Sequence, residues 1–336
     1  MDRRVRRATA LDVARAAGVS QSAVSRVFGD GSASKAMTER VRAAADALGY
    51  RPDAMARGLI TGRSRIVGLV VAHLENPFFA TAIERLSRAL QAMDHHLMVF
   101  TTGNRAGPDH DAAIRSMMDY RIDALVAASV NLSGDLVARC EAMGVPVVLF
   151  NRATDGALPA VTSDNLGGAA AVADLLVGTG HRRIAHVAGW RGSSTGRERA
   201  DGFREALEAA GVGLHAEVAG DYDRATAAAA ARALMEGADP PDAIFAGNDH
   251  MALAVLDELR HVMGLGVPED VSVVGFDDVA MAAWPAYRLT TVRQDVDAMV
   301  AACVEGVMAR IAGRRMAPRT CVPAPLVIRD TVRGTA

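Results

Sequence analysis

Residues 9–28 read TALDVARAAGVSQSAVSRVF, and their spacing predicts two short helices joined by a tight turn. The first runs from about Ala10 to Ala17, with Thr9 or a neighbour as N-cap and Gly18 as its stop, and Ser20 can cap the second. On a helical wheel begun at Gln21, the side chains of Gln21, Ser25, Ser22 and Arg26 fall at about 0°, 40°, 100° and 140°. Ala23, Val27, Val24 and Phe28 fill the opposite side, at about 200° to 340°. One face of the second helix can therefore pack on a small core. The other presents an amide, two hydroxyls and a guanidinium, groups able to hydrogen-bond base edges in a DNA major groove.

Working outward, Ala10, Leu11, Val13, Ala14 and Ala17 share one face of the first helix. The segment GDGSAS reads as a loop, and a third helix is expected from about Lys35 to Leu48, with Ser34 as N-cap and Gly49 as stop. Val41, Ala44, Ala45 and Leu48 recur at helical spacing and are expected to form its inward stripe. Arg51-Pro52 breaks the chain. The following DAMARGLI has room for only about two helical turns, too few to be stable in isolation, and TGRSR reads as a linker.

From Ile66 onward the pattern changes. Short apolar runs (IVGLVV, HLMVF, ALVAAS, PVVLF, RIAHVAG, DAIFAG, SVVGF) alternate with helix-length segments, which implies repeated βαβ units and parallel sheets covered on both faces. Such a stretch is long for one sheet, so two similar lobes are expected. Ligands of open parallel sheets bind beyond the carboxyl ends of the strands, so the loops leaving these runs are where a site belongs.

Composition agrees with a multidomain globular chain of 336 residues, half of them apolar and 23% charged, with a net charge of only −2. That average conceals an asymmetry. Residues 1–65 hold 13 Arg/Lys against 6 Asp/Glu, and the remainder holds 24 against 33. A basic head on an acidic body suits a nucleic-acid module joined to another function. Cys140, Cys303 and Cys321 have neither disulfide nor zinc spacing and read as reduced thiols. No apolar run reaches membrane-spanning length. The basic start MDRRVRRA is followed by Asp12 and Arg15, which interrupt what would be the apolar segment of a secretory leader. A cytoplasmic location is expected.

The chain resembles the lactose/galactose-repressor (LacI/GalR) family of bacterial transcription regulators over nearly its whole length. The resemblance is carried by ALDVARAAGVSQSAVSRV, TERVRAAADALGYRPDAMARGL, RIVGLVV…NPFF, FNR, SDNLGGAAA, GHRRIAHVAG, RERADGFREAL, AIFAGNDHMALAVL and VSVVGFDD…LTTVRQD, in that order. It implies an all-α helix-turn-helix head followed by an α/β core of two doubly wound parallel-sheet lobes, like the periplasmic sugar-binding proteins. The expected boundaries are 1–50 for the head, 51–65 for a hinge helix and linker, and 66–331 for the core. The first lobe takes about 66–163 and 295–322, and the second about 164–292 and 323–331.

The resemblance also implies roles for single residues. Gln21 and Ser22 would face base edges and Arg26 a guanine, whereas Thr9 and Ser25 would touch phosphate. DAMARGLI matches the family's hinge helix. Leu59 stands where the family wedges a leucine between base pairs, with Ala56 against the minor-groove floor, although residue type alone makes Leu59 an ordinary packing residue. In the core, Phe79, Asn151, Arg152, Asp164, Arg199, Tyr222, Asn248, Asp277 and Gln294 are implied to contact a small-molecule effector, with Phe78 more structural. Asn165 and Asp249 read equally as helix caps. Amides, carboxylates, an arginine and aromatic rings are the groups a polyhydroxylated ligand needs. Two departures stand out: TA replaces a Ser-Gly pair after GDY, and Asn151 replaces a frequent aspartate. With Arg152, Arg197 and Arg199 nearby, the second leans toward an acidic sugar or a sugar phosphate over a plain sugar.

An enzyme is not expected. Lys35 is the sole lysine and lies in the head, so no phosphate-binding Walker loop is possible, and no G-x-G-x-x-G or H-E-x-x-H motif occurs. His95 and His96 read as surface or packing histidines. No cofactor or metal is expected. The alternative, a solute-binding protein, would require export, and the chain opens with a DNA head instead. The expectation is a homodimer, without an added C-terminal heptad helix, that binds a palindromic double-stranded operator under effector control and has no membrane association.

Overall fold

In the computed structural model, residues 8–28, 32–51, 63–72, 74–102, 114–130, 132–154, 156 and 158–335 are described. The chain forms two units, residues 1–65 and 66–336.

The first unit contains α1 (Ala10–Ala17), α2 (Gln21–Phe28) and α3 (Lys35–Ala47). Thr9 opens α1 with a reciprocal cap: its backbone N–H donates to Asp12 Oδ2 at 2.9 Å, and the Asp12 N–H donates to Thr9 Oγ1 at 3.3 Å. Gly18 ends the helix in the left-handed region at φ 66°. Ser20 Oγ accepts from the Ala23 N–H and Ser34 Oγ from the Met37 N–H, so each helix start has a hydroxyl partner. Val13, Ala14, Val24, Val41 and Ala45 form the core, and the Phe28 and Tyr50 rings meet edge to face at 5.9 Å.

Two expected inward residues are exposed, Leu11 at 45% and Leu48 at 42%. Leu11 sits about 100° around the wheel from Ala10, beyond the narrow stripe that three short helices can cover. Leu48 is the C-cap of α3, where the chain leaves the helical path.

The second unit contains two six-stranded sheets. The first lobe is built from β1 (Ile66–Ala72), β2 (His96–Thr102), β3 (Ala124–Ala128), β4 (Val147–Phe150), β5 (Ala160–Ser163) and β11 (Arg319–Val322), in the order β11-β5-β4-β3-β1-β2. The second is built from β6 (Ile184–Ala188), β7 (Ala216–Ala219), β8 (Ala243–Ala246), β9 (Ser272–Asp277), β10 (Thr290–Arg293) and β12 (Leu326–Val327), in the order β12-β10-β9-β8-β6-β7. All ladders are parallel except β10 with β12. In the first sheet β1 lies between β2 and β3, with Val67 opposite Leu97 on one side and Ala124 on the other.

Strands β3, β4, β8 and β9 are buried along their whole length, which requires helices on both sheet faces. The helices include α4 (Pro77–Ala92), α5 (Gly134–Ala142), α6 (Asn165–Gly178), α7 (Ser194–Ala209), α8 (Arg224–Met235), α9 (Asp249–Asp257) and α10 (Val296–Ile311). The chain passes between the lobes three times, from β5 to α6, from β10 to α10 and from β11 to β12. Among the described residues no helix is long and apolar enough to cross a membrane.

Candidate functional site

Two surfaces carry chemistry. In the head, Ala23 and Val24 of α2 are buried, whereas Gln21, Ser22, Ser25 and Arg26 are exposed. The polar set thus occupies one uninterrupted solvent face of a capped helix, the geometry by which a second helix lies in a major groove. Ser22 Oγ lies 2.9 Å from Ser20 Oγ. Thr9 Oγ1 donates to Asp12 Oδ2 at 2.7 Å, so part of its hydrogen-bonding capacity serves the cap. Ala56 and Leu59 lie outside the described residues.

In the core, the carboxyl ends of both sheets face a cavity of about 170 Å³. Glu75, Asn76 and Phe79 enter from the β1–α4 connection, Ser129 follows β3, and Asn151 and Arg152 follow β4. The second lobe contributes Trp190, Thr195, Arg199, Tyr222, Asp223, Asn248, His250 and Asp277. Four of these non-glycine residues hold positive φ: Ser129 at 57°, Asn151 at 58°, Tyr222 at 60° and Asp277 at 137°. Backbone strain of this kind persists where the surrounding structure imposes it, and here it gathers at strand ends that aim side chains into one space. Gly189 is required beside Tyr222, because a Cβ there would enter the tyrosine ring.

Arg199 is the electrostatic centre. Only 2% exposed, it donates through Nε to Asn165 Oδ1 at 2.9 Å and through Nη1 to the Gly247 carbonyl at 2.7 Å. Its Cζ lies 3.7 Å from the centroid of the Phe276 ring, and Nη1 is 3.4 Å from Asp277 Oδ1. Among the described residues its Nη2 is buried with no hydrogen-bond partner, as is Asn151 Oδ1. A donor and an acceptor left unmatched in one cavity are the complement of a ligand that brings an acceptor and a hydroxyl donor. Arg152 stacks over Trp190 at 5.6 Å.

Asp277 accepts from Gln294 Nε2 at 2.6 Å and from Asn76 Nδ2 at 3.4 Å. Burial raises its pKa against the opposing pull of Arg199, Gln294 and Asn76. Asp249, the first residue of α9, is fully buried behind this site. It accepts from Thr291 Oγ1 at 2.5 Å and from the Val279 N–H at 2.9 Å. Burial, and next the Asp277 carboxylate, push Asp249 up to about 7. Asp277 has a guanidinium neighbour and Asp249 has only neutral donors, so a proton shared by the pair resides on Asp249. Burial lowers the pKa of His250, favouring the neutral imidazole in the cavity wall.

Of the sequence-derived core residues, Phe79, Asn151, Arg152, Arg199, Tyr222, Asn248 and Asp277 line the cavity together. Asp164 and Gln294 do not. Asp164 is the N-cap of α6, its Oδ1 accepting from the Gly167 N–H, and the helix start claims it. Gln294 is 3% exposed and lies behind the wall, donating to Asp277 and accepting from Ser163 Oγ at 2.6 Å. Asn165 and Asp249 are likewise behind the lining, supporting Arg199 and contacting Thr291. Arg197 also stays outside, donating through Nη1 to the Arg191 carbonyl. Phe78 is structural, stacked on Phe150 at 6.4 Å.

Sequence reading missed Glu75, Asn76, Ser129, Trp190, Thr195, Asp223 and His250. Trp190 was the most legible of these, because it directly follows the RIAHVAG strand and is one of only two tryptophans.

A three-helix head with an exposed polar recognition face, followed in one chain by a two-lobed core around a polar cavity, defines a DNA-binding regulator of the ligand-responsive type. Comparison with known proteins gives the particular family. Residues 9–53 match the family of bacterial regulatory proteins, lacI family, and residues 173–332 match the periplasmic binding protein-like domain. The HTH-type transcriptional regulator CelR of Thermobifida fusca is 34% identical over 343 residues, covering 98% of this chain and 100% of that protein. The solved structure of the lac repressor dimer bound to operator and the anti-inducer ONPF superposes with a TM-score of 0.88 at 25% identity, covering 97% of this chain and 99% of that one. The transcriptional regulator CelR–cellobiose complex gives 0.72 at 32% identity, covering 97% and 100%. The chain belongs to the LacI family of transcriptional regulators.

Proposed function

We propose that this regulator acts as a cytoplasmic homodimer, without enzymatic activity, that grips a palindromic operator and is controlled by a neutral sugar held between its core lobes. Gln21, Ser22 and Arg26 read base edges, and Thr9 and Ser25 rest on phosphate. Ala56 and Leu59 are assigned to the minor groove at the operator centre. The observation that carries the effector reading is a buried unmatched donor, Arg199 Nη2, and a buried unmatched acceptor, Asn151 Oδ1, in one cavity with Phe79, Trp190 and Tyr222. Aromatic rings cover the apolar faces of a pyranose, and amides, carboxylates and the guanidinium pair with its hydroxyls.

A neutral ligand is favoured over the acidic sugar to which the sequence leaned. Arg152 and Arg199 are accompanied in the wall by the carboxylates of Glu75, Asp223 and Asp277, and Arg197 does not enter. The cavity is also smaller than the roughly 300 Å³ at the low end of drug-sized sites, which suits a single ring in this lobe arrangement. CelR, with its bound cellobiose, makes a disaccharide the second candidate.

The test has two parts. Selection from a random duplex pool should return a palindrome, and a thermal-shift panel of neutral sugars, sugar acids and sugar phosphates should identify the effector. A ligand at 100 times its Kd adds about 2.7 kcal/mol to the state it binds. The identified sugar should then change operator affinity. Stabilisation by phosphorylated sugars alone refutes the neutral-ligand reading, and failure to enrich any palindrome refutes the regulator reading.

A further inference from the structure

The cavity wall is tied to the far edge of the first lobe by a continuous chain of hydrogen bonds that leaves the cavity. It starts at Arg199 Nε, which donates to Asn165 Oδ1 at 2.9 Å. The same amide donates through Nδ2 to Glu198 Oε2 at 2.9 Å, so both of its ends are committed and its orientation is fixed. Arg319 Nη2 donates to Glu198 Oε2 at 2.8 Å, and Nη1 lies 2.8 Å from Oε1. Arg319 Nε donates in turn to Thr162 Oγ1 at 3.0 Å. Glu198 lies on α7 of the second lobe, whereas Arg319 and Thr162 lie on the paired strands β11 and β5 of the first. The connection is therefore a forked charge pair between lobes, with side-chain exposures of 16% for Glu198 and 39% for Arg319.

Three further bonds that join the lobes at the cavity are of a different kind. Thr195 Oγ1 donates to the Asn151 carbonyl at 2.8 Å, the Ala153 N–H donates to Ser194 Oγ at 2.9 Å, and Asn76 reaches Asp277 at 3.4 Å. All three are single bonds from neutral donors. The Glu198–Arg319 pair is bidentate, and it is joined to Arg199 through one amide.

We infer that Glu198 and Arg319 are positioning residues that latch the lobes together and, through Asn165, hold the Arg199 guanidinium with Nη2 turned to the ligand. A ligand acceptor that engages Nη2 fixes Arg199 against Asn165, and so favours the latched arrangement. Opening the latch frees the Asn165 amide to turn and loosens Arg199. This assignment rests on the cavity being the effector site, but its test needs no ligand, so failure of the sugar panel and failure of the latch are separate results.

The experiment is hydrogen exchange on the full chain, comparing wild type with Arg319→Gln, Glu198→Gln and the double variant. The Ala153 amide bonds across the lobes and exchanges when they part. Its exchange rate should rise roughly tenfold in each single variant, the ratio that 1.4 kcal/mol sets. In the double variant it should rise about tenfold again and not a hundredfold, because both changes break one interaction. The Arg199 Nε–H signal, followed in arginine-labelled protein, should exchange faster in the same variants, whereas amides of β3 should not change. Unaltered exchange at Ala153 and Arg199 would overturn the inference. So would a rise shared equally by β3, which marks general destabilisation, or single-variant effects that multiply in the double variant.

Discussion

Replacing Asp249 by asparagine should remove a pH dependence of stability that the buried acid imposes on the core. In the folded chain the carboxyl is fully buried, close to the Asp277 carboxylate, and burial pushes it up to about 7 from an ordinary value of 3.8. In the unfolded chain it returns to that ordinary value. Above about pH 4 the unfolded chain has therefore released a proton that the native chain still holds, so stability falls as pH rises and levels off above about 7. At about 1.4 kcal/mol per tenfold change in proton affinity, the whole span amounts to about 4 kcal/mol, of which about 3 kcal/mol falls between pH 5 and pH 8. The Asp249 carboxyl accepts from the Val279 N–H and from Thr291 Oγ1, and a carboxamide of the same volume can keep both partners, its oxygen accepting from Val279 and its nitrogen donating to the Thr291 hydroxyl oxygen.

The stability of Asp249→Asn relative to the wild type should thus grow by about 3 kcal/mol between pH 5 and pH 8. The assay is urea unfolding by far-UV circular dichroism at fixed chain concentration, since coupled association would otherwise move the midpoint. Other titrating groups are common to both proteins and cancel in the difference. Parallel pH profiles for the two proteins would refute the assignment of the proton to Asp249.

In the head, Arg26→Ala should erase preference at one base position per half-site, worth about 1–3 kcal/mol, and a binding selection that returns an unchanged consensus would exclude Arg26 from base reading. In the core, Asp277→Asn keeps the shape of a side chain that accepts from Gln294 and Asn76 but removes the charge facing Arg199. It should weaken the effector at least about tenfold in a thermal-shift titration while operator affinity without effector changes little, and a wild-type effector titration would count against Asp277 as a ligand contact.

Much of the fold was legible because its signals are local. The three head helices carry their caps in sequence, Thr9, Ser20 and Ser34, and each accepts from a backbone N–H in the first turn of its helix. The strands read in advance are the ones with unbroken apolar runs. Strands β5, β7, β10, β11 and β12 went unread because they have two to four residues of mixed character, such as AVTS, AEVA and TTVR, and are strands by virtue of their neighbours. The candidate site divides in the same way. Asp164 and Gln294 sit at lobe crossovers, and a polar residue there can face the cavity or brace its wall; only the packing decides, and it turns Asp164 to a helix start and Gln294 to Asp277. Trp190, Thr195 and His250 reach the cavity from a turn and two helix starts, positions with no periodic signature.

The division between lining and bracing residues explains how a small ligand can command a large change. The neutral bonds across the cavity contribute about 1 kcal/mol each, so they hold the lobes together with little excess. A buried polar atom without a partner costs about 1–3 kcal/mol, and both Arg199 Nη2 and Asn151 Oδ1 are in that condition. Asn151 belongs to the first lobe and Arg199 to the second. A ligand that satisfies both atoms must touch both lobes at once, so its favourable contacts exist only while the lobes are together. That is the differential affinity between two states which any coupling requires, and its size matches the 1–3 kcal/mol typical of such coupling. A ligand that met only one of the two atoms would contact one lobe there and favour neither arrangement through it, so the expectation is that substituting either residue weakens the coupling.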